Sequence, residues 1–245
     1  MRWIFAVGIF LCGAIGAAGA SEIHDACEAG DVGKIKALLK ANPALANVKD
    51  ENGGAAPLAI AVGSGKKEAV KALVAAGADI GAKNGTGWMP VHFSAGGKLS
   101  GASKDCAEFV VPGDSAAIAQ WAKEGFTAAH RAVALGQKDA LKKVLAEQGD
   151  AVKNARDSAG WTPLFWAAVN ADKAAAEMIL AAKPDIEIKN ELGQTALQTA
   201  VVLGNKDLVE VLLKHNADTK DAVKLARQFA QKDVEELLKK RGVKE

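Results

Sequence analysis

The chain of 245 residues contains no tyrosine, and aromatic residues make up only 5% of it, although 49% of its residues are hydrophobic. Much of the apolar content is therefore Ala, Leu and Val, which is typical of packed helices rather than of sheets. A core of small residues allows helices to approach one another closely. This composition favours stacked helical hairpins over a globule built around bulky aromatic side chains.

The chain also lacks a large excess of charge of either sign, because 31 Lys and Arg residues are balanced by 29 Asp and Glu residues. The basic residues are interleaved with acidic ones and are not gathered in a patch or stripe. Nucleic-acid-binding proteins concentrate positive charge in such a patch, and polybasic membrane-surface segments do the same. We therefore expect neither nucleic acid nor a membrane surface as the partner.

Motifs for catalysis are missing as well. The sequence contains no nucleophile elbow, no HExxH and no paired-carboxylate arrangement. Gly63-Ser64-Gly65-Lys66 resembles the end of a phosphate-binding loop, but Ile60 stands where that motif requires its first glycine, and Lys67 replaces the Ser or Thr. We therefore predict that the protein is not an enzyme and binds no cofactor.

The first 20 residues have the pattern of a secretory signal peptide. Arg2 gives a short positive segment, residues 3–18 carry no charge, and Ala18-Gly19-Ala20 is a small-x-small cleavage signal before Ser21. We therefore predict a signal peptide at 1–20 and, because the Ala-rich leader is typical of bacteria, a periplasmic protein with no membrane insertion after cleavage. The alternative is an uncleaved leader that anchors the chain, although its apolar run is short for a spanning helix of about 20 residues.

One short phrase recurs five times after the leader. Its glycines are separated by 33, 38, 35 and 33 residues, and they are Gly54, Gly87, Gly125, Gly160 and Gly193. A second phrase follows four of these copies at a constant offset and places three apolar side chains on one face of a helix. A fixed period of this length indicates a repeat architecture.

Gly160-Trp161-Thr162-Pro163-Leu164 is the fullest copy of the first phrase, and Gly77-Ala78-Asp79 shows the ending of the repeat. Together these phrases resemble the ankyrin repeat. The resemblance implies an all-α solenoid of stacked helix-turn-helix units with short β-turn fingers. It covers residues 21–245 as one domain of about seven units, with atypical capping units at 21–49 and 221–245.

Individual residues have expected roles in these units. Thr162 can cap the first helix, and Pro163 suits its first turn, where a missing N–H has little effect. Gly65, Gly136 and Gly204 follow first helices and suit a left-handed C-terminal residue.

The third repeat is longer than the others. About three of its extra residues fall in the loop Gly96–Ser103 between its helices, and two more follow Gly113. Insertions in a solenoid fall in loops that are often functional, but a surface insertion without any role is equally well tolerated.

Histidine recurs at one position of the repeat, in His24, His92 and His130. In related proteins this ring has a structural role and hydrogen-bonds the neighbouring turn. A metal site or a His24–Cys27 dyad is the alternative, but later repeats have Phe165 and Gln198 at this position, and successive repeats hold the rings too far apart for zinc. We therefore expect no metal.

Two cysteines follow the leader, Cys27 and Cys106. The repeat places them two helix layers apart, which is too far for a disulfide. We expect each to be a buried thiol, and an intermolecular or reactive role is the alternative.

Partners of related repeats usually contact the finger tips and the concave face of the first helices. The residue between Gly and Thr of the first phrase lies on that surface, and it is aromatic in three successive repeats. Because aromatic residues are typical interface anchors, we predict a stripe of protein-binding residues, bordered by the Gly96–Ser103 loop: Trp88, Phe126, Trp161, Leu135, Val169, Asn170, Leu192 and Leu203. The alternative is that each aromatic ring packs on its own repeat. Trp166, inside a first helix, is expected in the core.

The sequence thus predicts a monomeric, non-enzymatic module of the cell envelope that binds another protein. One alternative is an inhibitor or immunity protein that blocks a toxin or hydrolase. Another is an accessory protein to an oxidative-stress enzyme, because some bacterial periplasmic proteins of similar architecture are associated with peroxide defence.

Overall fold

The computed structural model describes residues 18–51, 53–94, 106–111, 113 and 115–243. Within this part the chain forms fifteen α-helices and one 3-10 helix, and no β-strand. It divides into two compact units whose boundary lies between Ile118 and Ala119. Residues 1–17 of the predicted signal peptide and the whole Gly96–Ser103 loop lie outside the described residues.

The first unit consists of helices arranged in pairs, with the 3-10 helix Pro43–Asn47 after the first pair. These helices are α1 (Ala18–Ala29), α2 (Val32–Ala41), α3 (Pro57–Gly63), α4 (Lys67–Ala75), α5 (Pro90–Ser94) and α6 (Ala107–Val110). The first helices α1, α3 and α5 pack side by side in one row, and the second helices α2, α4 and α6 form another. The predicted cleavage position before Ser21 lies inside α1.

Helix α7 (Ser115–Lys123) spans the boundary, and the second unit continues with four helical pairs. These pairs are α8 (Ala128–Ala134) with α9 (Lys138–Val152), α10 (Pro163–Val169) with α11 (Lys173–Ala181), α12 (Ala196–Val202) with α13 (Lys206–Lys214), and α14 (Ala222–Gln228) with α15 (Lys232–Lys240). The helices α8, α10, α12 and α14 pack in sequence as a first-helix row. The helices α9, α11, α13 and α15 form the second-helix row.

The predicted signals at the ends of the first helices are confirmed. The Thr162 hydroxyl accepts the N–H of Phe165, and Pro163 stands in the first turn of α10. Gly65, Gly136 and Gly204 have φ of 66°, 65° and 68°, which is the left-handed region that glycine enters without steric cost.

The apolar phrase of the second helices is largely buried, as expected. In α11, Ile179 and Leu180 are buried, and in α13 Val209 and Leu212 are buried. The same pattern holds in α15, where Val234, Leu237 and Leu238 form the buried face. Each of these helices therefore packs one apolar face against its neighbours and leaves a polar face in water.

The connection before α8 differs from the expected short finger. Residues 115–123 form α7, so a helix occupies the position of the turn that precedes the other first helices. This helix is followed by a turn at Glu124 and Gly125, and Gly125 has a φ of 89°. A Cβ atom added to Gly125 would lie 1.9 Å from the carbonyl oxygen of Arg156, so the close approach of these two backbone segments requires glycine.

The two cysteines of the described part, Cys27 and Cys106, are both buried, and neither forms a disulfide. This agrees with the expectation that they occupy core positions of the repeat. Burial raises the pKa of the Cys27 thiol to about 12. The thiolate is the reactive form of cysteine, so Cys27 is an unreactive core residue in the folded chain.

One position of the repeat leads to a stability prediction. Ala171 occupies the position of Gly136 and Gly204 and has a φ of 52°, a conformation that strains a residue with a Cβ atom. We expect Ala171→Gly to raise the free energy of unfolding by about 1 kcal/mol. Gly136→Ala, where an added Cβ meets nothing within 4 Å, should lower it by a similar amount.

Urea unfolding followed by circular dichroism measures both changes. If the free energy of unfolding rises in Ala171→Gly and falls in Gly136→Ala, the left-handed backbone conformation explains both changes. A lower free energy of unfolding in both variants would contradict that explanation.

Candidate protein-binding surface

Most first helices are preceded by a finger, a short turn that begins with Asp or Asn. In each of these turns the side-chain Oδ1 atom accepts two backbone N–H groups of the same turn, at 2.9 or 3.0 Å. The four residues are Asp50, Asn84, Asp157 and Asn190. These four residues were not among the predicted site residues. Asp or Asn followed by Gly three residues later is the signal that could have identified them.

Neighbouring fingers are joined within each unit. The N–H of Gly85 donates to the carbonyl oxygen of Gly53 at 2.9 Å in the first unit, and that of Glu191 donates to Ala159 at 3.4 Å in the second. The Arg156 guanidinium also pairs with the Glu191 carboxylate at 3.0 Å. The tips are therefore anchored both by their own Asp or Asn and by the adjacent finger.

The recurring histidine connects successive repeats. His130 Nδ1 accepts the N–H of Thr127 at 3.0 Å, and Nε2 lies 2.9 Å from the carbonyl oxygen of Trp161 in the next finger. A carbonyl oxygen only accepts, so Nε2 carries the proton and the ring is neutral. The ring thus starts one helix and holds the following turn, as the structural interpretation of this position predicted.

Gln198 makes the same two connections without an imidazole ring. Its Oε1 accepts the N–H of Thr195 at 3.1 Å, and its Nε2 donates to the carbonyl oxygen of Lys220 at 3.3 Å. Because an amide also offers one acceptor and one donor, it replaces histidine here. The described residues contain no group of three or more His, Cys, Asp or Glu side chains that could hold a metal ion.

The aromatic residues that precede the first helices pack on their own repeats. Trp161 lies against Trp166, the fourth residue of α10, with ring centroids 5.3 Å apart. Trp88 packs in the same way against Phe93, at 5.4 Å. This pairing of the residue before the N-cap with one in the first turn is a hydrophobic staple.

Phe126 is enclosed from several sides in the second unit. Its ring lies 5.1 Å from that of Trp121 in α7, and 5.7 Å from that of Trp166 in α10. Trp166 is fully buried, as predicted, and its Nε1 donates to Asp157 Oδ2 at 2.7 Å. The helix that replaces a finger therefore supplies one wall of an aromatic cluster.

A family model described as ankyrin repeats (three copies) matches residues 11–84, 58–157, 99–190 and 149–224. The chain belongs to the ankyrin-repeat family. Ankyrin repeats are protein–protein interaction modules, and the family is generally non-enzymatic. The stacked helical hairpins described above are the ankyrin fold, and the Asp and Asn turns are its fingers.

One curated relative is the SMC5-SMC6 complex localization factor protein 1 of Bos taurus, which is 33% identical over 93 residues. The match covers 38% of this chain and 9% of the relative, so it spans a small part of that protein. Among the helices of the described residues, none is long and apolar enough to cross a membrane.

The ankyrin fold buries most of the predicted binding stripe, which corrects the expectation that these side chains are exposed. Phe126, Trp161, Val169, Asn170 and Leu203 are all less than 8% exposed. The aromatic rings pack against their own repeats, and the residues near the helix ends are buried as well. In this conformation these five residues contribute to packing.

Three residues of the predicted stripe remain accessible. Leu192 lies at the tip of the Asn190 finger and is 44% exposed, while Leu135 and Trp88 are half-buried. Within the described part of the chain, Leu192 is the large hydrophobic residue that stands most clearly in solvent. That these residues bind a partner stays a prediction.

The exchange of histidine for glutamine in ankyrin repeats can be tested directly at His130. We expect His130→Ala to lower the free energy of unfolding by about 3 kcal/mol, since it removes a buried ring and two hydrogen bonds. His130→Gln should lower the free energy of unfolding by about a third as much, because the amide keeps one acceptor and one donor.

Denaturant unfolding of both variants gives the comparison, with Gln198→His as the reciprocal control. If His130→Gln destabilises the protein as much as His130→Ala, the interchangeable role inferred from Gln198 is wrong.

Proposed function

We propose that this ankyrin-repeat protein binds a partner protein in the cell envelope and that the fingers of the second unit make the central contact. The observation that carries this proposal is the exposed side chain of Leu192. A leucine that is 44% exposed at the tip of a turn contributes little to the core of its own repeat. Accessible apolar side chains on a firmly held loop are typical anchors of protein interfaces.

The finger presents Leu192 in one conformation. Asn190 is buried and its Oδ1 accepts the N–H groups of Leu192 and Gln194 at 3.0 and 2.9 Å. Since the turn is already ordered, binding does not have to pay the entropy of ordering it. A single apolar side chain on such a turn can therefore contribute more to affinity than the same side chain on a mobile loop.

Charged groups surround this apolar tip. The Arg156–Glu191 pair has side chains that are 46% and 61% exposed, and ion pairs so exposed to water contribute little to stability. Such charges remain available for recognition. An apolar centre bordered by polar groups is the usual anatomy of a protein interface.

The envelope location rests on the leader at 1–20, with Arg2 followed by the uncharged run 3–18. We expect the protein isolated from its source cells to begin at Ser21. N-terminal sequencing of material from the periplasmic and membrane fractions checks this. A protein that retains Met1 and stays in the membrane fraction would support the anchored alternative, and one found only in the cytoplasm would contradict export.

The binding role is tested by affinity capture from the envelope fraction of the source cells. We compare the wild type with Leu192→Ser and with the control Met178→Ser, which changes a half-buried residue of the second-helix row. We expect a protein that is retained by the wild type and the control, and is reduced by about tenfold with Leu192→Ser.

Thermal unfolding of the three proteins establishes that each is folded. Equal capture by all three would contradict the role of the Leu192 finger. If none of them retains a protein, the proposed binding function itself fails.

A further inference from the structure

The charges of the second unit are distributed unequally between its two rows of helices. The first-helix row, α8, α10, α12 and α14, contains no Asp or Glu, and its charged residues are Arg131, Lys224 and Arg227. The acidic residues of this unit lie in the second-helix row and in the fingers and turns. The chain as a whole has a net charge of only +2, so its overall composition hides this local positive row.

Arg131 stands out within the row. It is half-buried, its Nε atom is buried without a hydrogen-bond partner, and among the described residues no carboxylate pairs with its guanidinium group. A desolvated donor without an acceptor lowers the stability of the folded chain. Arg156, Arg227 and Arg241 differ from it, since each pairs with a glutamate.

The neighbours of Arg131 on α8 are uncharged and leave it accessible. Ala128 precedes it by one helical turn and is exposed, and Leu135, the C-cap residue directly after α8, follows it by one turn and is half-buried. Residues at this spacing lie on one face of a helix. The face therefore presents a small residue that permits close approach, a cation without a partner, and an apolar side chain.

We propose that this face of α8, defined by Ala128, Arg131 and Leu135, binds an acidic segment of the partner protein. The inference rests on the proposed function and names the chemistry of the partner. A carboxylate of the segment accepts hydrogen bonds from the terminal nitrogens of Arg131, and an apolar side chain next to it packs on Leu135. The fork of a guanidinium group matches a carboxylate geometrically, and no carboxylate among the described residues pairs with Arg131 in competition with the segment.

The test uses the purified full chain and a phage library of random heptapeptides. We expect the wild type and the control Lys142→Gln, which changes an exposed residue of α9, to select peptides that contain Asp or Glu beside an apolar residue. Arg131→Gln should lose this selection. Because the Arg131 side chain makes no hydrogen bond within the described residues, urea unfolding should show Arg131→Gln to be at least as stable as the wild type.

A selected peptide is then synthesised together with its amide version, in which Asn or Gln replaces the acidic residue. The wild type should bind the acidic peptide about tenfold more tightly than the amide, whereas Arg131→Gln should bind the two equally. Arg131→Lys should keep part of the preference, since it retains the charge and loses the fork.

Several results would overturn the proposal: no selected peptides, selected peptides without acidic residues, an equal loss with Lys142→Gln, or an acid preference that persists in Arg131→Gln. The capture experiment separates the two proposals. If capture of a partner is reduced by Leu192→Ser but not by Arg131→Gln, the proposed binding of an acidic segment is wrong and the proposed binding function stands.

Discussion

No helical hairpin of this protein can bury its apolar face alone, and the rest of the structure depends on that constraint. Within each unit, each first helix packs on the next first helix, and each second helix on the next second helix. Polar side chains fix the alignment between repeats. Asn205 Nδ2 donates to the carbonyl oxygen of Ala168 at 2.8 Å, and Gln231 Nε2 donates to that of Val202 at 2.9 Å. Apolar burial thus supplies the driving force, and these bonds select one register of stacking.

The features that follow from local backbone requirements could be read from the sequence. Thr162 and Pro163 begin a helix, and Gly65 and Gly136 end one, because few residues satisfy the backbone at those positions. The recurring glycines mark the start of each repeat in the sequence, because each repeat needs glycine at the same backbone position. The ankyrin fold of the second unit and the row structure of both units were therefore predictable.

Other features depend on three-dimensional neighbours, and the sequence either left them as an alternative or did not indicate them. The repeat pattern predicts a surface position for Trp161, but the ring packs against Trp166 of α10 and is buried. Phe126 is covered because residues 115–123 form a helix and bring Trp121 against it. That helix contains good helix formers such as Ala117, Ala119 and Lys123, so its propensity was visible, but the repeat pattern favoured a finger at this place.

The burial of Cys27 makes chemical modification of its thiol dependent on local unfolding. A thiol with a pKa of about 12 inside the first helical pair is shielded from oxidants and alkylating reagents while that pair stays closed. Modification therefore requires α1 to separate from the helices that pack against it, and an alkylating reagent that then reaches the sulfur forms a stable thioether. The fraction of chains that are alkylated at Cys27 after a given time therefore reports how often this part of the stack opens.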